Sequence, residues 1–243
     1  MKVGARLAAV GAASLLTAAS EPQIPPQALQ YFPHVSSEAA ETLGRDIGPA
    51  ILASQVEQES CITLTHKRCW NPTVEFKTTR EYGFGLAQIT IVYKDGREVM
   101  NRFKDLQKID PMLAEWQWDD RFNPRYQLRA LAVGDRDCLP YALGAAGEEK
   151  AAMTMACYNG GPGSKKKKTG LQGDRIICRA TAGCDPNRWW GNVENTSGKS
   201  KVPAPGYSVS FFQTNRDYVR RILRERIGKY RAYDWDSAPW SVG

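Results

Sequence analysis

The sequence predicts an α+β domain that is mainly α, with a small β element and a disulfide-containing insertion. Three observations carry this. Leu52 and Val56 share a helix face with Glu59, and near the other end Tyr218, Val219, Ile222, Leu223 and Ile227 fall on one helical stripe. One strand-like run, Ile89-Thr90-Ile91-Val92-Tyr93, follows a glycine-rich turn and stops at Lys94-Asp95-Gly96. Six cysteines, Cys61, Cys69, Cys138, Cys157, Cys178 and Cys184, form an even set of the kind that pairs in an oxidising compartment.

The elements follow in chain order. Lys2 and Arg6 precede an apolar run from Leu7 to Ala19, and Ala18, Ala19 and Ser20 supply a cleavage point, so residues 1–20 read as a signal peptide or releasable signal-anchor. Residues 21–35 are proline-rich and lack periodicity, which suits a linker. The domain is expected over residues 36–243. Ser36 or Ser37 caps a first helix through Glu38 and Glu41, and Gly48-Pro49 opens a second from Ala50 to about Cys61. Ala151 to Cys157 reads as a small-residue helix closed by Asn159-Gly160-Gly161, with Pro162 as the stop. Residues at about 165–207 form an insertion in which Lys165 to Lys168 are a solvated loop. Trp189-Trp190 there supply either a stacking surface or a small core, and core is the expected outcome. From Asn215 the chain is helical again.

Charge and side-chain inventory narrow the chemistry. The formal net charge of +7 suits an anionic polymer as partner. The lysine run carries no interleaved aromatics, and Arg220, Arg221 and Arg224 accompany no recognition motif, so nucleic acid is not the expected partner. No Cys-x-x-Cys pair occurs, and the only histidines, His34 and His66, have no partner at metal-ligand spacing; neither metal nor cofactor is expected. Six cysteines allow fifteen pairings. The short intervals Cys61 to Cys69 and Cys178 to Cys184 predict two local loops, leaving Cys138 with Cys157.

Three segments carry candidate chemistry. Glu59 sits on a face with two apolar side chains, where a carboxyl loses solvation of its charged form and holds a proton near neutral pH, as a general acid must. The bland alternative is a surface carboxylate on a frayed helix end. Gly83-Phe84-Gly85-Leu86-Ala87-Gln88-Ile89 brings backbone close to a ligand and offers the Gln88 amide as donor and acceptor. An ordinary glycine turn before a strand fits the same residues. Tyr158 and Asn159 lie at a helix end, where a tyrosine either packs or faces a ligand.

In order and rough spacing, Glu59-Ser60, the Gly83 to Ile89 segment and Ala156-Cys157-Tyr158-Asn159-Gly160-Gly161-Pro162-Gly163 resemble the signature of the lytic transglycosylases of the lysozyme-like superfamily, which cut the glycan strands of bacterial peptidoglycan. Phe122-Asn123-Pro124-Arg125-Tyr126-Gln127 is similar to that family's Asp-Pro-x-x-Asn helix opening, and Arg216-Asp217-Tyr218-Val219 to its late Glu-Thr-Arg-x-Tyr segment. The resemblance implies a lysozyme-like fold, Glu59 as the single catalytic acid/base, and Thr79, Gln88, Tyr158, Asn159 and Tyr218 along the glycan cleft. It implies a monomer acting on peptidoglycan in the periplasm or outside the cell, touching membrane only transiently through its N-terminal segment.

The chain departs from the pattern at several positions. Gly83 stands for the family's Ala, Tyr82 for the glycine before it, Ala87 for Met, and Thr214-Asn215 for the late Glu-Thr. Cys157 replaces the usual Ala before Tyr-Asn, and a bond from it to Cys61 would let redox state tune the site. In the implied mechanism Glu59 protonates the oxygen of the β-1,4 bond between N-acetylmuramic acid and N-acetylglucosamine, then takes the C6 hydroxyl proton as a 1,6-anhydro ring closes. A hydrolytic muramidase needs a second carboxylate, for which Glu81 and Asp95 are the nearby residues. A non-catalytic peptidoglycan-binding protein is the third reading.

Overall fold

Proline at the first helical position and an apolar face below it start the helices that matter most here. The computed structural model describes residues 23–204 and 206–236, so the N-terminal export segment expected at residues 1–20 lies outside the described residues. Helix α1, Pro26–Glu38, continues through wider turns to Leu43 and stops at Gly44 with φ of 60°. Helix α2 is Pro49–Ser60. Four strands follow, β1 Glu75–Lys77, β2 Glu81–Phe84, β3 Ile89–Lys94 and β4 Arg97–Asn101, then α3 Arg102–Ile109, α4 Pro111–Ala114 and α5 Pro124–Cys138. Helix α6 is Gly147–Gly160 and α7 is Gly170–Arg179; α8, Phe211–Arg220, runs on through 221–226 into α9, Ile227–Ala232. The result is a mainly helical α+β fold with one small sheet.

The linker expected at residues 21–35 is instead mostly helix. Ala28, Tyr31, Val35 and Glu38 recur at helical spacing and are buried, so the domain begins before Ser36, and Ser36 and Ser37 lie inside a helix rather than at its cap. Burying such apolar side chains is worth roughly 1.5–3 kcal/mol for a large one, which offsets the cost of about 3 kcal/mol for Pro33 in the helix interior. Arg129 of α5 fixes this segment. Its guanidinium reaches Glu38 at 3.2 Å, Thr42 at 2.8 Å and Asp110 at 3.0 Å.

The sheet is an antiparallel meander in the order β1-β2-β3-β4. Glu75 pairs with Phe84, Phe76 with Gly83 and Phe84 with Ile89, so Gly83 sits within a strand and the turn proper is Gly85 to Gln88. The expected strand at Ile89 and its stop before Asp95-Gly96 are present. The core lies where α2, α5, α6 and the α8–α9 rod meet, and the expected stripe of Tyr218, Val219, Ile222, Leu223 and Ile227 is buried there.

Three disulfides pin the chain: Cys61–Cys69, Cys138–Cys157 and Cys178–Cys184. The proximity pairing holds, and the Cys61–Cys157 redox link does not exist. Trp189 is fully buried in the 165–207 region, with Arg216 stacked over it, which is the expected core role. No helix among the described residues is long and apolar enough to cross a membrane.

Candidate active site

Glu59 lies in the last turn of α2, and the tertiary structure gives the two carboxylates of that turn opposite environments. Glu57 points to the α8–α9 rod, where Lys229 at 2.7 Å, Arg226 at 3.3 Å and the Tyr230 hydroxyl at 2.7 Å surround it. It is a structural ion cluster. Among the described residues Glu59 has no ion-pair partner. The Tyr218 hydroxyl donates to its Oε1 at 2.6 Å. Desolvation raises its pKa from 4.5 to about 7, opposed by that single hydrogen bond. The side chain is only partly buried, because it also lines a concavity of about 170 Å³ with Ser60, Cys61, Arg68, Phe76 and Gln88. An acid that stays protonated near pH 7 yet faces a cleft is poised for proton transfer.

The glycine turn is built by close approach. Gly85 has φ of 73°, and a Cβ there would meet the Gln127 side-chain amide at 2.3 Å. From α5, Gln127 accepts from the Leu86 backbone at 2.8 Å and donates to the carbonyls of Pro72 at 2.9 Å and Arg121 at 2.8 Å. Its amide therefore ties the turn to the segment before β1. Gln88, at φ of 43°, donates back to the Gly85 carbonyl at 2.9 Å and lines the concavity with Glu59.

Tyr158 bridges the turn and the acid. Its hydroxyl donates to the Ala87 carbonyl at 3.1 Å, and its ring stacks on Tyr218 with centroids 6.4 Å apart and planes 9° from parallel. The ring lies against Gly134 of α5, where a Cβ would sit 2.7 Å from Cε2. Asn159 is exposed at the end of α6 and accepts from the Asn215 amide at 3.1 Å; the same amide donates to the Ala156 carbonyl at 2.9 Å. Asn215 is buried and in turn accepts from Arg216 at 2.7 Å. Thus Glu59, Gln88, Tyr158 and Tyr218 come together, with Asn159 at the neighbouring helix end.

Thr79 does not join them. It is exposed in the β1–β2 turn, at the opposite end of β2 from Gln88, and lines a separate concavity with Arg80, Tyr93 and Asp95. The hairpin that separates Thr79 from Glu59 consists of β1 and β2, which no periodicity in the sequence announced. Asp95 shares that distant end, Glu81 starts β2 beside it, and Glu59 is the only carboxylate lining its concavity among the described residues.

Four residues of the site escaped sequence reasoning. Phe76 stands half exposed beside the acid, opposite Gly83, and offers an apolar ring face. Gly134 makes room for Tyr158. Gln55, one helical turn before Glu59, bonds Asp135 of α5 at 3.1 Å, and both are fully buried. The i−4 spacing of Gln55 from Glu59 was a usable signal; nothing local marks the other three. Comparison of the chain with protein-family models, with curated proteins and with solved structures finds no match in any of the three.

Proposed function

We propose that this chain is a peptidoglycan lytic transglycosylase of lysozyme-like fold, exported to an oxidising compartment, with Glu59 as its single acid/base. The observation that supports this best is a carboxyl with a pKa near 7 facing a concavity that, among the described residues, no second carboxylate lines. A hydrolase with two carboxylates places the second across the cleft, about 5–5.5 Å away for retention or 6.5–9.5 Å for inversion. A transglycosylase needs only one.

In this mechanism protonated Glu59 donates to the glycosidic oxygen between N-acetylmuramic acid and N-acetylglucosamine as that bond breaks. The carboxylate, still held by Tyr218, then accepts the proton of the muramoyl C6 hydroxyl while its oxygen closes the 1,6-anhydro ring. Phe76 and Gln88 flank the reacting bond, the ring for stacking and the amide for a sugar hydroxyl or acetamido group. The net charge of +7 favours the anionic wall polymer. Three disulfides support the exported location.

Mass spectrometry of muropeptides released from purified sacculi tests the reading, with Glu59→Gln alongside. Anhydro-muramoyl products from wild type alone are expected. Products heavier by one water would assign a hydrolytic muramidase, and binding without release by either protein a wall-binding role.

A further inference from the structure

The pair formed by Gln55 and Asp135 has a proton missing from its hydrogen-bond account. Gln55 Nε2 donates to Asp135 Oδ1 at 3.1 Å, and this leaves Gln55 Oε1 and Asp135 Oδ2 both buried with no partner. Both are buried acceptors, and no side chain or backbone group among the described residues donates to either. An ionised carboxylate cannot supply a donor, whereas a carboxylic acid carries an O–H. A proton on Oδ2 supplies the donor that the pair lacks, while Oδ1 still accepts from the Gln55 amide at 3.1 Å.

The surroundings favour that state. Burial is the largest influence holding the Asp135 carboxyl well above the usual carboxylate range, and the nearby Glu59 adds to it; the Gln55 hydrogen bond and Arg102 oppose. Arg102, at the start of α3, is the one cation among the described residues whose charge acts on Asp135, and it also lies 3.8 Å from Asp137. Tyr158 of α6 and Tyr218 of α8 are the other ionisable groups facing Asp135, and burial holds both phenols well above their ordinary range, hence neutral.

We propose that Gln55 and Asp135 form a neutral acid–amide pair that positions Glu59 and leaves it the only group in the buried cluster that titrates. The role of Glu59 in this proposal rests on the function proposed above; the protonation of Asp135 does not. The consequence is chemical. A like charge on Asp135 would raise the Glu59 carboxyl further and make it a weaker acid on the donating step. A neutral one lets Glu59 release and recover a proton near pH 7.

The test has two arms on the purified full chain. Carboxyl-carbon NMR of protein labelled at Asp and Glu, recorded from about pH 5 to about pH 8, is expected to show one protonated resonance that does not move and that disappears in Asp135→Asn, beside a Glu59 resonance that titrates. In activity, Asp135→Leu should lose at least about tenfold, and Asp135→Asn, which keeps a neutral hydrogen-bonding partner for Gln55, should recover most of it with the pH midpoint within about half a unit of wild type. An ionised Asp135 carboxyl at neutral pH overturns the proposal, as does a midpoint moved further than that by Asp135→Asn. Absence of any glycan cleavage would count against the proposed function, while the NMR arm would still decide the protonation of Asp135.

Discussion

Replacing Glu59 with Gln should stabilise the protein increasingly as the pH is raised, even as it removes the acid. The folded carboxyl has its pKa raised from 4.5 to about 7, chiefly by desolvation. Between those two values the native state binds more proton than the unfolded chain, so stability falls as pH rises through the window and is level on either side. At 1.36 kcal/mol per pH unit, the rise corresponds to at most about 3.4 kcal/mol. Because the side chain opens on the cleft and solvent screens part of the charge, about 1.5–3 kcal/mol is expected. Gln keeps the shape and the Oε1 that accepts from Tyr218 at 2.6 Å, so little else changes. Urea unfolding of both proteins, followed by tryptophan fluorescence, should give nearly equal stabilities at about pH 4.5 and a gap favouring Glu59→Gln that is complete by about pH 8. A gap that does not vary with pH would refute the reasoning, because it would mean the carboxyl is not desolvated and no acid is tuned at this position.

Gly134→Ala places a methyl 2.7 Å from the Tyr158 ring, and should cost about 1–3 kcal/mol and at least about tenfold in activity as the Tyr158 bond to Ala87 is lost; unchanged activity would show the ring adapts freely. Arg216→Met removes a buried cation that bonds Asp174 at 2.9 Å and the carbonyls of Glu194 at 2.8 Å and Thr196 at 2.6 Å, leaving Asp174 with only the Gly198 N–H at 3.2 Å and the charge of nearby Lys199. A loss of about 3–5 kcal/mol and faster proteolysis within residues 165–207 are expected, and wild-type protease resistance would contradict them. Phe76→Ala should raise KM severalfold for glycan strands and leave the thermal midpoint within about 2 °C, since the ring is half exposed; an equal drop in kcat would assign it a different role.

How much of this was legible beforehand follows from the range over which each signal acts. Helix α2 and the α8–α9 stripe announced themselves because a 3.6-residue period is local, and the same period put Glu59 among apolar neighbours. Helix α1 was hidden: Pro25, Pro26 and Pro33 argued for a linker, while burial of Ala28, Tyr31 and Val35, with α1 packed on α5 and Tyr31 stacked on Trp70, overrode that preference. The hairpin of β1 and β2 went unread because Glu75-Phe76-Lys77 is too short to alternate and Gly83 interrupts the second strand. Thr79, which the resemblance put along the cleft, lies instead at that hairpin's far end.

The sequence by itself determined which carboxyl shares an apolar helix face, where glycine must relieve a turn, which cysteines are near enough to pair, and which residues close the C-terminal rod. Each is a property of neighbours along the chain. Only the tertiary structure decided that Glu59 meets the Tyr218 hydroxyl, with no ion-pair partner among the described residues, while Glu57, two residues earlier, meets Lys229 and Arg226. It alone brought Gly134 under Tyr158 and set Gln55 against Asp135. Desolvation depends on which helices cross over a group, and residues 159 positions apart, as Glu59 and Tyr218 are, leave no local trace of that crossing.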